Sequence, residues 1–327
     1  MHADHLCLAM MVNGNDVTCS AHHQHVVAFA HIPRTGGSSF LRDVRNGLLK
    51  NNSGSWSFMS EEWCIDSVRS MAVRKYAGIN APKSVLTATF IREPYAHARS
   101  MYIECRYGFS TFQRTTAEQR ALNASFGEWM RSFGEAELTR SWKCYHPASI
   151  QSRAMLCRGC VDHLENDMCL WHNNLPSAAS GAPRAIDALE QKIDLLGITE
   201  LYQASLCVWL DKLQCHAKKL PPWCDCRDPT SWAKAPLSHI EHGHAKLGVG
   251  PLGAEDMAAV EALSASDMEL YAAALARFQR EARRVEARHN VSLLCEPAKS
   301  SRTSSAGGDK NGSSSSSASA GSHAVEK

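Results

Sequence analysis

The chain has 327 residues, 44% of them apolar and 21% charged, and a formal net charge of +2. That length buries a full core, as one large domain or as one domain with a small appendage. The near-neutral balance excludes a strong global field, so local basic residues must hold any anionic ligand, and no nucleic-acid partner is expected.

Residues 1–24 are polar, histidine-rich and aperiodic, and read as an N-terminal extension. No basic flank followed by a long apolar run occurs in the first thirty residues, so neither signal peptide nor membrane anchor is expected there. His25 to Ile32 is a short apolar run bounded by Pro33, which suits a buried strand of a parallel sheet. After the Gly36-Gly37 turn, Ser38 to Lys50 predicts a helix with Phe40, Leu41, Val44 and Leu48 on one face. A second buried strand is expected at Ser84–Ile91, followed by a helix that starts at Pro94 and runs to about Tyr107.

The stretch from about 108 to 180 is irregular and rich in Cys and Trp. Beyond it come a helix over Pro183–Ile193, a short strand at Leu195–Ile198 and a helix from Glu200 to about Lys219. Residues 221–253 read as a Pro-, Gly- and Cys-bearing loop, and Ala254–His289 as helix with one break near Ser264–Ser266. From Pro297 onward Ser, Gly and Ala repeat almost without large apolar residues, so 297–327 is expected to be a disordered tail. Strand, polar turn and helix alternate, which argues for an α/β domain with parallel strands over 25–296.

Eight of the 13 cysteines lie between Cys144 and Cys226. In an oxidising compartment such a cluster staples a loop-rich region through disulfides. Sequons at Asn51, Asn123, Asn290 and Asn311 point the same way, to a secretory-pathway lumen. The alternative is zinc, held by Cys157, Cys160, Cys169 and His172 with help from Cys224 or Cys226.

A strand, a glycine turn and a helix together form a ready anion site, because free backbone N–H groups face outward at a positive helix end. Here Gly36 and Gly37 let the backbone close in, Thr35, Ser38 and Ser39 add hydroxyls, and Arg34 adds a cation. The loop lacks the Walker pattern G-x-x-x-x-G-K-[ST], which disfavours ordinary nucleoside triphosphates and a small-molecule kinase. His31-Ile-Pro-Arg-Thr-Gly-Gly-Ser-Ser39 instead resembles the H-I-P-K-T-G-G-[ST]-[ST] loop of carbohydrate sulfotransferases, the heparan sulfate 2-O and 6-O enzymes among them. These use 3′-phosphoadenosine 5′-phosphosulfate (PAPS). The resemblance implies that residues 34–39 hold the 5′-phosphosulfate, with Arg34 in the place of a lysine that stabilises charge on the leaving bridge.

Arg92-Glu-Pro followed by Ser100 resembles the same family's 3′-phosphate motif, and implies that Arg92 and Ser100 converge on that phosphate. The family commonly has arginine where His97 stands, a role that Arg99 could take. Pro147 to Leu156, with Gln151 and Arg153, resembles a further element whose arginine lies near the cofactor phosphates. Leu196-Gly-Ile-Thr-Glu200 and Asp267-Met-Glu-Leu-Tyr271 resemble two more. The fold so implied is a P-loop-like three-layer α/β fold, with a central parallel sheet flanked by helices and a Cys-rich irregular insertion. The implied function is PAPS-dependent O-sulfation of a glycan or other hydroxylated acceptor in the Golgi lumen, without a metal. A non-catalytic nucleotide- or glycan-binding module on the same fold is the alternative.

Transfer needs a base for the acceptor hydroxyl, and related enzymes draw it from between the two phosphate motifs. Residues 40–90 contain no histidine, and their carboxylates are Asp43, Glu61, Glu62 and Asp66; Glu62 or Glu61, beside Trp63 and Cys64, is the expected base. Glu104 and His146 are others, while His31 is expected to serve the strand end structurally.

Overall fold

The computed structural model describes residues 25–44, 56–61, 64–76, 84–108, 124–133, 147–156, 181–213, 219–237 and 252–295. The expected N-terminal extension and tail, the sequons at Asn51, Asn123 and Asn311, and the middle of the cysteine-rich segment, 157–180, lie outside these residues.

Four strands, β1 (His25–Ala30), β2 (Trp56–Glu61), β3 (Ser84–Ile91) and β4 (Leu195–Ile198), form one parallel sheet in the order β2-β1-β3-β4. Val26 to Ala30 are all buried, as a strand covered on both faces requires. The chain steps from β1 out to β2, returns through α2 (Ile65–Tyr76), and enters β3 on the other side of β1. Strand order therefore reverses between β1 and β3. In open parallel sheets the crevice outside the strand ends at such a reversal is where ligands bind.

The remaining helices are α1 (Gly37–Asp43), α3 (Pro94–Ile103), α4 (Phe126–Arg131), α5 (Ile150–Leu156), α6 (Ala182–Lys192), α7 (Tyr202–Leu213), α8 (Pro229–Ala233), α9 (Ala254–Leu263) and α10 (Ala265–His289). A π-turn, Glu104–Gly108, continues α3. The core is aromatic at its centre: Phe29 lies 4.8 Å from Phe40, and Trp209 lies 4.8 Å from both Phe40 and Phe90. Gly197 in β4 makes room for this cluster, since a Cβ there would come within 2.3 Å of the Phe90 ring. A second cluster joins α3, α4 and α9 around Tyr102, Phe126, Trp129 and Val260.

The strands expected from the apolar runs are present, although β1 stops at Ala30 and leaves His31-Ile32 to the loop. The helix expected to reach Lys50 is described only to Val44, and the one expected to reach Lys219 only to Leu213. The long C-terminal helix breaks at Ser264, inside the expected window. Strand β2 and helices α2, α4, α5 and α8 had no counterpart in the sequence reading. Ser57 and Ser60 interrupt the apolar run in β2, α4 and α8 are a turn or so long, and α5 begins on a cap that comes from elsewhere in the chain.

Cys207–Cys224 and Cys226–Cys295 are disulfides, and Cys64 and Cys105 are also disulfide-bonded. Loops of 17 and 69 residues are closed, worth about 3 and 4 kcal/mol in the chain-entropy account. Cys224 and Cys226 are thus committed to sulfur partners. The other zinc candidates, Cys157, Cys160, Cys169 and His172, lie outside the described residues, among which no group of three or more possible ligands could share a metal. No described helix is long and apolar enough to cross a membrane.

Ahead of the amino end of β4, Arg277 of α10 is buried, with 3% of its side chain exposed. It donates to Leu189 O and Ile193 O, both at 2.6 Å, capping the end of α6, and to Glu281 Oε1 at 2.9 Å. Glu281 accepts in turn from Lys212 Nζ of α7 at 2.8 Å. Removing Arg277 strips two buried carbonyls of their donor and takes one of two cations from buried Glu281. Arg277→Ala should lower the unfolding free energy by about 3–5 kcal/mol, read as a shift of the urea midpoint at neutral pH, whereas Arg280→Ala on the exposed face should change it little.

Candidate functional site

The loop after β1 leaves the sheet on the crevice side of the switch point. Arg34 (φ 65°) and Gly36 (φ 93°) both adopt the left-handed conformation. Glycine does so freely, but arginine at a cost of order 1–2 kcal/mol. Three long-range bonds offset that cost. His97 Nε2 donates to Pro33 O at 2.7 Å, Arg92 Nη1 to Arg34 O at 2.8 Å and Thr199 Oγ1 to Thr35 O at 2.6 Å. The donors come from α3, from the end of β3 and from the turn after β4.

There are no cis peptides in the described chain, and in a trans peptide the N–H points away from the preceding carbonyl. Anchoring those three carbonyls therefore turns the amides of Arg34 and Gly36 to the opposite side. Helix α1 then starts at Gly37 with no side-chain cap on its free N–H groups. Gly37 also admits the His31 ring, whose Cδ2 would lie 2.0 Å from an added Cβ. Thr35 is fully buried and donates its hydroxyl to Ile32 O at 2.8 Å, so that proton serves the loop itself. Ser38 is exposed and Ser39 partly so.

Arg34, Arg92 and Ser100 meet. Arg34 Nε donates to Ser100 Oγ at 3.1 Å and its Nη1 pairs with Glu104 Oε2 at 2.9 Å. Arg92 has its Nε buried with no hydrogen-bond partner, although Glu200 Oε1 is 3.8 Å away. Burial presses the Arg92 pKa down, and the Arg34 charge adds to that, against support from Glu200 and Glu93. Two adjacent cations with an unfilled donor and an uncapped helix start favour an anion here.

A second layer holds this arrangement. Gln151 binds the Arg92 backbone at both ends, accepting from its N–H at 2.8 Å and donating to its carbonyl at 2.9 Å. Buried Asp267 accepts from Gln151 N and Ser152 N at 3.1 and 2.7 Å, which starts α5. Glu93 caps α3 through Tyr95 N and Ala96 N, with Pro94 in the first turn. Arg153 turns elsewhere: it donates to Ala148 O at 3.2 Å, its Nε has no hydrogen-bond partner, and burial lowers its pKa to about 10.

His97, Thr199 and Gln151 thus hold the site, roles that the motifs did not reveal even though all three residues stand inside them. His97 takes a backbone carbonyl where the resembled family has arginine, and Arg99 is exposed. Glu61 ends β2 in register with Ala30, at the strand end beside the loop. Its side chain, Glu62 and His146 lie outside the described residues. Compared with known proteins, the chain matches no family model and no curated protein.

His97 is 1% exposed, and burial pulls its pKa down to about 3; burial and then the Arg34 charge hold His31 at about 4. A carbonyl only accepts, so neutral His97 carries its proton on Nε2. The unfolded chain takes up a proton on this residue near pH 6.5 and the folded chain does not, so stability from His97 is complete above that pH and is lost as pH falls toward 3. The slope is at most about 1.4 kcal/mol per pH unit. His97→Leu should flatten the fall of the urea midpoint between pH 6.5 and 4.5 relative to wild type, while lowering stability at pH 7 by about 1–3 kcal/mol through the orphaned Pro33 carbonyl. An identical pH profile would mean that His97 is not held neutral.

Proposed function

We propose that the chain is a PAPS-dependent O-sulfotransferase on a P-loop-like fold, acting on a hydroxyl of a glycan or other hydroxylated acceptor. The observation that carries this reading is the Arg92 guanidinium donating to the Arg34 carbonyl across the switch point, with its Nε buried and without a hydrogen bond, on a loop that runs into an uncapped helix start. One phosphate needs one such cluster. The donor in question carries two phosphate-bearing ends, and the cations here come from two strand ends.

In this reading the backbone of Gly36 and Gly37 and the groups of Ser38 and Ser39 take the 5′-phosphosulfate, with Arg34 at the bridge, while Thr35 shapes the loop from inside. Arg92 and Ser100 take the 3′-phosphate. Arg153 supports from behind, by holding the approach to α5. When bound, PAPS supplies a sulfuryl group: an O–S bond to the acceptor forms as the bridging S–O bond breaks, the acceptor proton goes to a base, and adenosine 3′,5′-bisphosphate leaves. A fixed guanidinium beside the bridge acts as a preorganised counter-charge for the oxygen that becomes negative. Glu61, Glu62, Glu104 and His146 remain the candidate bases. The disulfides favour an oxidising lumen such as the Golgi.

Adenosine 3′,5′-bisphosphate should raise the melting temperature, by about 2.7 kcal/mol of stabilisation at a hundred times its Kd, and ATP should not. Arg92→Ala should remove the response, and labelled PAPS should pass its sulfuryl group to one member of a glycan panel. Stabilisation by ATP alone would overturn the proposal. A bisphosphate response without any transfer would make the chain a binding module.

A further inference from the structure

Ser100 and Glu104 are four residues apart, at the end of α3 and the start of the π-turn, and the α3 C-cap amide of Glu104 still bonds back to Ser100 O. Residues at that spacing share a helix face, roughly one 5.4 Å turn apart. The Arg34 side chain lies along this face. Its Nε is held by the Ser100 hydroxyl at 3.1 Å and its Nη1 by the Glu104 carboxylate at 2.9 Å. Two bonds to two atoms of a planar group fix its plane as well as its position. Nη2 makes no hydrogen bond among the described residues, so its two hydrogens are the donors left for a ligand.

An ammonium is a point charge and has no plane to set, whereas a guanidinium delivers its hydrogen bonds only in that plane. An arginine at position 34 therefore needs an orienting partner that a lysine would not. The π-turn begins at Glu104, and such interruptions of a helix often accompany functional sites. Glu104 also supplies counter-charge to Arg34, as Glu200 does to Arg92.

We propose that Glu104 is a positioning residue for the transfer reaction: with Ser100 it orients the Arg34 guanidinium toward the phosphosulfate bridge. This assignment rests on the sulfotransferase reading. The two functions of the carboxylate pull in opposite directions. Its charge competes with a bound anion, and its geometry aims the cation that stabilises the leaving oxygen. Binding and turnover should therefore respond to its loss with opposite sign.

The test compares wild type, Glu104→Gln, Arg34→Lys and the double variant. Adenosine 3′,5′-bisphosphate affinity is measured by calorimetry. Release of labelled sulfuryl from PAPS is followed to the best acceptor of a glycan panel, or to water. In the arginine background Glu104→Gln should tighten the bisphosphate by roughly threefold and slow release by about tenfold or more. In the Arg34→Lys background the same change should alter release by less than about twofold. Glu104→Asp keeps the charge and shortens the reach, so release should fall while affinity holds; this second variant decides the matter where Glu104→Gln melts before it can be assayed. Equal losses of affinity and release, or equal effects in both backgrounds, overturn the assignment alone. A wild type that neither binds the bisphosphate nor consumes PAPS overturns the sulfotransferase reading, and the assignment with it.

Discussion

Three consecutive carbonyls, those of Pro33, Arg34 and Thr35, are each held by a side chain from a different element. The rest of the site depends on that constraint. It offsets the left-handed backbone of Arg34, turns two loop amides outward and leaves the first amides of α1 uncapped. The donors sit 58, 64 and 164 residues further along the chain, so the loop has its shape only when β3, α3 and β4 are in place. The sheet order β2-β1-β3-β4 brings them there, because β1 and β3 are neighbours whose chain continuations part at their ends.

Charge in this region is balanced pair by pair. Arg34 and Arg92 would repel across a short distance; Glu104 offsets one and Glu200 the other. Both histidines that touch the loop are kept neutral by burial, so they brace it without adding to the positive charge. That division leaves two paired arginines and two uncharged histidines around the loop.

Helix α10 links the residues behind Arg92, at the end of β3, to those ahead of β4. Near its start Asp267 fixes the first turn of α5, which carries Gln151 and so the backbone of Arg92. Nearly three turns on, Arg277 closes the end of α6, just ahead of β4. Cys226–Cys295 then ties the segment after α7 to the residues beyond α10, and Cys207–Cys224 fastens the same segment to α7 itself.

The apolar runs at 25–32, 84–91 and 195–198 by themselves determined three of the four strands, because a strand covered on both faces must be apolar throughout. The resemblance of the glycine turn and of the Arg92–Ser100 segment to known motifs implied that these residues gather at the strand ends, and Arg34 does bond Ser100 and Arg92 there. Strand β2 was hidden, since serines interrupt it at the sheet edge, and so was α5, whose first turn is capped by a carboxylate 115 residues away. Only the tertiary structure decided that Thr35 faces inward, that Arg153 bonds the Ala148 carbonyl, and that Glu104 grips Arg34. These outcomes are bonds from side chains to distant partners, and no local pattern encodes the distance across a fold. The His31–Ser39 loop could be recognised from its residues, but its working shape belongs to His97, Arg92 and Thr199.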